Sequence, residues 1–381
     1  VNIAPVNDVA TISGSAAGDV LEDTTLSTGG LLTVSDVDAG ENVFQTQTDV
    51  GGNYGSFSIN AEGAWTYNLN SDSANSLAEG QEVTESFDVL SADGTATETV
   101  TVTVTGTNDQ PQLTSHTASA TEDNSFTFDA SDLLIGSSDA DTLDTLSVTD
   151  VSTTSTDGTL VDNGDGSWTF TPNENFTGDV QFNYTVDDGS GAANATSSSG
   201  LTLTYNAVND APVISLDGGP STFHEGQAPI KIAPAGSVDI SDVDSADFDG
   251  GQLTVSLGGG SADDVLAIGS GGVKVDEDGN LHYPGPNGEI IGSVVGGSNG
   301  ADLVVTFNQN ATPQIAEKVL NQITYENTSD APVEGDRTIS MKLTDGDGGT
   351  SATVSETITV SGTNDDPTIT GSSGGDGLED T

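Results

Sequence analysis

Apolar residues alternate with polar ones over several stretches of the chain, and the repeat distance is two. Val100, Val102 and Val104 are separated by threonines, as are Leu201, Leu203 and Tyr205; Val354, Ile358 and Val360 follow with looser spacing. Alternation of this kind gives a strand one buried and one wet face, and Val, Ile and Thr suit the pleated sheet. A shorter aromatic strand recurs in Gly63-Ala64-Trp65-Thr66-Tyr67, Gly166-Ser167-Trp168-Thr169-Phe170 and Gly279-Asn280-Leu281-His282-Tyr283. Trp65, Trp168 and Leu281 share a face with Tyr67, Phe170 and Tyr283, which places them in a core; a sugar-stacking tryptophan is the other reading. Glycine-rich turns break the chain every 8–12 residues or so, the rhythm of a β-sandwich. One stretch has helical spacing: Thr312 as N-cap, Pro313 at the first position, then Ile315, Ala316, Val319, Leu320 and Ile323. The predicted class is all-β, built of sandwiches.

The pattern repeats along the chain. Asn-Asp pairs stand near a proline at Asn7-Asp8, Asn108-Asp109, Asn209-Asp210 and Asn364-Asp365, at steps of 101, 101 and 155 residues. They divide the chain into the end of a preceding linker (1–8), repeat 1 (9–109), repeat 2 (110–210), an enlarged third domain with the short helix (211–365) and a truncated fourth repeat (366–381). About 100 residues suits one small sandwich. The chain starts and stops in mid-pattern without a leader, so it reads as a segment of something longer.

Composition changes this picture in one respect. Val, Leu, Ile and Phe make up about 22% of the 381 residues, just above the roughly 20% below which high net charge predicts disorder. The formal charge is −55, from 5 Lys+Arg against 60 Asp+Glu. Such a chain lacks the cations that neutralise phosphates, so nucleic acid is excluded as a partner. No apolar run is long enough to insert in a bilayer. Without Cys there are no disulfides and no thiolate chemistry. A marginal core needs help from elsewhere, and the carboxylates suggest its source.

The acids recur in fixed order. A Glu follows each linker Asn by 14–16 residues (Glu22, Glu122, Glu225, Glu379); an Asp-x-Asp comes about thirty residues on (Asp36/Asp38, Asp139/Asp141, Asp242/Asp244); an Asp-Gly closes each domain (Asp93, Asp188, Asp345). A sandwich gathers its loops at its two ends, so these groups can meet at the junctions. Two like charges 4 Å apart repel by about 1 kcal/mol in water and about 4 at an effective dielectric of 20. A hard dication reverses that sign, and Ca²⁺ accepts six to eight oxygens in flexible geometry. His116, His224 and His282 form no pair at ligand spacing, which disfavours transition metals. Ordinary turns and an acidic solvation layer are the competing explanation. Asp247/Asp249 extend the densest acidic loop and are a secondary metal candidate, while hairpin turns account for Asp162/Asp165 and Asp276/Asp278.

The order Glu, Asp-x-Asp, Asp-Gly and linker Asn-Asp resembles the calcium junctions of cadherin-type repeats, and the variants here are similar to the VCBS-type and cadherin-like repeats of giant bacterial RTX adhesins exported by type I secretion. The resemblance covers nearly the whole chain. It implies immunoglobulin-like, cadherin-like sandwiches in tandem, and several Ca²⁺ ions held mainly at junctions. It implies that Glu22, Asn108, Asp109, Asp139, Asp141 and Asp188 form junction 1–2. Glu122, Asn209, Asp210, Asp242, Asp244 and Asp345 would form junction 2–3. Glu225, Asn364 and Asp365 would begin junction 3–4, and Asn7, Asp8, Asp36, Asp38 and Asp93 would be half of an earlier one. The Asp-Arg-Glu that supplies further ligands in cadherins is missing; repeats 1 and 2 contain no Lys or Arg. The implied role is a calcium-stiffened extension of a secreted bacterial surface adhesin, serving attachment and biofilm formation, with neighbouring repeats as partners.

The third domain departs from the other two. It holds all five basic residues, Lys231, Lys274, Lys318, Arg337 and Lys342, and His282 stands where the other repeats have Thr66 and Thr169. Loops on a rigid scaffold carry binding, so a glycan or peptide site on this domain is the alternative function. No nucleophile elbow, phosphate loop or His-Glu-x-x-His is present, and an enzyme is not expected.

Overall fold

The structure is a computed structural model that describes residues 6–233 and 236–367. Strands dominate it, and the chain divides into two compact units, Val1–Ala207 and Val208–Thr381. The truncated fourth repeat, with Glu379, lies outside the described residues from 368 onward.

The first unit contains two sandwiches with separate cores. In repeat 1 a five-stranded sheet runs Thr11–Gly14, Ser27–Ser35, Ala64–Leu69, Gly55–Ile59, Gln47–Gly51, and a three-stranded sheet runs Ala17–Leu21, Thr97–Thr105, Glu82–Leu90. The alternating valines do what their period requires: Val100, Val102 and Val104 are each 0% exposed. They meet Phe57, Trp65, Tyr67 and Phe87 in one core, where Phe57 and Phe87 stack at 4.8 Å. Each such side chain contributes about 1.5–3 kcal/mol through burial. Trp65 is also buried, with its indole N–H donating to the Ser15 carbonyl at 2.7 Å. Repeat 2 pairs the sheet Ser147–Thr153, Gly178–Asp187, Thr196–Asn206, His116–Thr121 with Phe126–Asp129, Ser167–Pro172, Gly158–Asp162. Its core holds Trp168, Phe170, Phe182, Tyr184, Leu203 and Tyr205. Both tryptophans are therefore core residues, and the sugar-stacking reading fails on burial.

The domain of the second unit is larger than either repeat, and its main sheet has eight strands, ordered Ser221–His224, Val354–Ser361, Gly335–Leu343, Gln252–Gly258, Leu303–Phe307, Glu289–Gly296, Asn280–Tyr283, Lys274–Val275. Helix Pro313–Leu320 covers its core with Ala316, Val319 and Leu320, and the Thr312 hydroxyl accepts from the Ile315 N–H. Two further helices, Ser71–Ala74 and Ala130–Leu133, were not expected. Each is a single turn, too short to show a helical period.

In all three domains the Glu that follows the linker sits at the same structural step. The backbone N–H groups of Glu22, Glu122 and Glu225 donate to the carbonyls of Thr105, Asn206 and Ser361. The next residue adopts a left-handed conformation each time: Asp23 at φ 62°, Asp123 at 61° and Gly226 at 69°. That turn directs the Glu side chain toward the end of its own domain.

Candidate metal centre

Junction 1–2 lies within the first unit and is built around the linker Thr107-Asn108-Asp109. Repeat 1 supplies Glu22, whose Oε2 accepts from the Thr107 N–H at 3.2 Å, and Glu79, which accepts from the Asn108 N–H at 3.0 Å. Repeat 2 supplies Asp141, whose Oδ2 accepts from the Asp109 N–H at 2.9 Å, and Asp188, which accepts from the Asn108 side-chain amide at 3.2 Å. Asp139 in turn accepts from the Asp141 N–H at 3.0 Å, fixing the short Asp-x-Asp loop. The two repeats also touch directly, where the Thr142 hydroxyl and N–H donate to the Ser76 carbonyl. The structure thus brings Glu22, Asn108, Asp109, Asp139, Asp141 and Asp188 together.

These bonds use only part of the oxygen present. Six buried oxygen atoms in the junction have no hydrogen-bond partner: Glu22 Oε1, Asn108 Oδ1, Asp109 Oδ2, Asp139 Oδ2, Asp141 Oδ1 and Asp144 Oδ2. A buried acceptor left unmade costs about 1–3 kcal/mol, and more when charged. Glu22 and Asp141 are 1% and 2% exposed. Burial, reinforced by the Asp109, Asp23 and Asp141 charges and opposed by the Thr107 N–H, pushes the Glu22 carboxyl up to about 7. Burial likewise pushes Asp141 up to about 6, with Asp109, Asp144 and Asp139 adding to it. Asp109 and Asp144 are raised too, by burial first and then by neighbouring carboxylates. No Lys or Arg exists in either repeat to relieve this.

The same geometry recurs in part elsewhere. In the first repeat Asn7 donates to Asp93 at 2.9 Å, the Asp8 N–H to Asp38 at 2.8 Å, and the Asp38 N–H to Asp36 at 2.8 Å. In the second unit Asn209 donates to Asp345 at 2.9 Å, the Asp210 N–H to Asp244 at 3.3 Å, and the Asp244 N–H to Asp242 at 3.3 Å. Glu225 accepts from the Thr363 N–H at 2.8 Å, and Asn364 folds onto the Asp365 carbonyl at 3.2 Å. Glu122 is buried at the end of the first unit, whereas Asn209, Asp210, Asp242, Asp244 and Asp345 all belong to the second.

Residues 7–106 match the family model for a bacterial cadherin-like domain, and residues 107–204 match that for a cadherin-like domain. The first two repeats are cadherin-like domains. No curated protein matches the chain. Among solved structures it is similar to protocadherin gamma B2 extracellular cadherin domains 1–5 (14% identity, TM-score 0.45), covering 94% of this chain and 61% of that one. The extracellular domain of protocadherin GammaB4 follows, at 14% identity and TM-score 0.39, with 94% of this chain and 50% of that one covered. Drosophila N-cadherin EC1–4 gives 12% identity and TM-score 0.30 over 94% and 76%. The chain therefore spans about half to three-fifths of the two protocadherin ectodomains.

The cadherin-like repeats hold two acids that the sequence reading passed over. The carboxylate oxygens of Asp139, Asp141 and Asp144 lie within 4.8 Å of one another, and those of Asp36, Asp38 and Glu41 do the same. Asp144 and Glu41 both stand five residues after the first Asp of their Asp-x-Asp, and Asp247 holds that position after Asp242. The offset was legible in the sequence. Asp249 is exposed, its N–H held by Asp247 at 3.1 Å.

Two of the five basic residues of the third domain, Arg337 and Lys318, form ion pairs. Arg337 and Asp264 form an ion pair at 3.1 Å with side chains 3% and 1% exposed. Asp264 also accepts from Asn327 at 2.8 Å and from the Tyr325 hydroxyl. Lys318 pairs with Glu317 at 2.8 Å on the surface.

Proposed function

We propose that junction 1–2 binds calcium and that the bound metal makes two cadherin-like repeats behave as one stiff body. The observation that carries this reading is the set of six partnerless buried oxygens, drawn from repeat 1, the linker and repeat 2 together. Their chemistry is all hard oxygen, with neither His nor Cys in the set, which suits Ca²⁺ over a transition metal. A bound dication supplies the positive charge that the two repeats lack. Glu22 reaches over from repeat 1; Asn108 and Asp109 come from the linker; Asp139, Asp141 and Asp144 come from one loop of repeat 2. Holding all three parts on one centre removes the hinge freedom of the linker.

By the same reasoning the acids of the second unit and of residues 7–93 are half-sites for neighbouring repeats. An ion that binds only the ordered state stabilises it by about 2.7 kcal/mol per site at 100 times its dissociation constant. Extracellular modules of this kind bind in the range of about 10⁻⁴–10⁻³ M. The chain would accordingly stay loose in a low-calcium cytosol and order outside. We read it as an extension and adhesion region of a secreted bacterial surface protein of the RTX type, non-catalytic and engaged in attachment. A glycan or peptide site on the third domain is the alternative reading; of its basic residues, Arg337 is held in the core by Asp264 and Lys318 pairs with Glu317. Small-angle scattering with calcium and with chelator tests the proposal. Calcium should lengthen the particle and narrow its distribution of sizes; identical profiles would refute it.

A further inference from the structure

The strand that carries His282 sits near one end of the eight-stranded sheet, between Lys274–Val275 and Glu289–Gly296. One turn precedes it, at 276–280, and another follows, at 284–288. His282 touches both. Its Nδ1 lies 3.1 Å from the Gly288 carbonyl and its Nε2 lies 3.1 Å from Asp276 Oδ2. A carbonyl oxygen can only accept, so Nδ1 carries a hydrogen. Asp276 is committed as an acceptor as well. Its Oδ1 accepts from the Asp278 and Asn280 N–H groups at 3.0 and 2.8 Å, and its Oδ2 from the Asn280 side chain at 3.0 Å. Those three bonds favour the ionised carboxylate and hold Asp276 below the usual range, so the remaining site on its Oδ2 accepts and Nε2 donates. Both ring nitrogens donating defines the imidazolium.

We propose that His282 is a proton-operated fastener: the doubly protonated ring ties both turns of this edge meander to one side chain, and loss of its proton releases one of them. The charged groups on the packed elements are Lys274, the cross-strand partner of His282, then Asp276, Glu277 and Asp278 in the preceding turn, and Glu289 on the following strand. Lys274 opposes the imidazolium, and the four acids favour it. The Asp276 bond, followed by the Gly288 carbonyl, holds the imidazole above its ordinary value, with burial acting in the opposite sense. A folded value raised in this way means that the tie is complete below the ordinary histidine value near 6.5 and is lost as pH rises through the folded one. The fastener uses none of the metal-junction residues.

Nitrogen NMR of the 381-residue chain labelled at histidine tests it. His282 should titrate above the ordinary histidine value near 6.5, and backbone hydrogen-exchange protection in one of the two turns, 276–280 or 284–288, should fall across that same midpoint. Asp276→Asn should lower the midpoint by about 1 pH unit or more. His282→Thr, which restores the residue type of Thr66 and Thr169, should make protection of both turns independent of pH. A His282 midpoint at or below the ordinary value near 6.5 would overturn the proposal, as would protection that ignores the titration.

Discussion

Two kinds of buried carboxylate occur in this molecule, and they are satisfied in opposite ways. Asp264 of the second unit lies in the core with Arg337, Tyr325, Asn327 and the Ser261 N–H around it. Burial works to raise its carboxyl, yet those partners outweigh burial and hold it below the usual range. Glu22 and Asp141 at junction 1–2 are as deeply buried, and there burial wins. One oxygen of each accepts a single backbone N–H and the other has no partner. The first arrangement is complete within the protein. The second, on the proposed function, is completed by a cation from outside, since repeats 1 and 2 contain no Lys or Arg to supply one.

The largest effect that would sharpen this contrast is at Arg337. Arg337→Met leaves Asp264 buried without its cation and should cost the second unit about 3–5 kcal/mol, with or without calcium. Both tryptophans, Trp65 and Trp168, lie in the first unit. Tryptophan fluorescence during denaturant unfolding should therefore stay unchanged while tyrosine signals of the second unit shift; a shift in both would contradict separate units.

Proton linkage should separate the two carboxylate types next. In the metal-free chain Glu22 and Asp141 have folded values near 7 and 6, above the 4.5 and 3.8 of free side chains. A raised carboxyl is penalised when charged, so the metal-free first unit should gain stability as pH falls from about 7 toward those lower values. Asp264 is lowered instead, so its contribution is present above the ordinary aspartate value and is lost as pH falls below it. Thermal unfolding followed separately by Trp and Tyr, from about pH 7.5 to well below the ordinary aspartate value of 3.8, measures both. A first unit that gains nothing between about 7 and 4.5, or a second unit that loses nothing below 3.8, would break the distinction.

Smaller effects probe single residues. Asp144→Asn should weaken calcium binding by at least about 10–100-fold, the cost of losing a supporting group at a metal site; titration of the variant against the parent chain checks it. Asp139→Ala should loosen junction 1–2 and leave unfolding of the second unit unaltered, as hydrogen exchange would record. Smallest is Thr312→Ala, which removes the helix cap and should cost about 1 kcal/mol in the second unit alone.

How much of this was legible in the residues depends on the length of each pattern. The strands Thr97–Thr105 and Thr196–Asn206 are long enough for alternation to show, and Thr312-Pro313 marks a helix start plainly. Helices Ser71–Ala74 and Ala130–Leu133 are one turn each and have no period to read. Two charged residues sit on core faces where the pattern alone would put apolar ones. Arg337 alternates with Ile339, Met341 and Leu343, and Glu85 with Val83, Phe87 and Val89. Both point inward because partners wait there: Asp264 for Arg337, and the Tyr67 hydroxyl and the Tyr54 N–H for Glu85. Such partners are distant in sequence, which is why strand alternation reveals the face but not the reason for the charge. The junction acids were visible as types in a fixed order; their convergence on one point needed the fold.

Calcium titration calorimetry at pH 6.5, in two buffers of different ionisation enthalpy, tests the central claim most directly. Glu22 and Asp141 straddle that pH, so binding should saturate, release protons and give buffer-dependent heats, and Glu22→Gln with Asp141→Asn should remove that dependence along with the affinity of junction 1–2. Heats that are absent, or that are the same in both buffers and unchanged in the double variant, would contradict it.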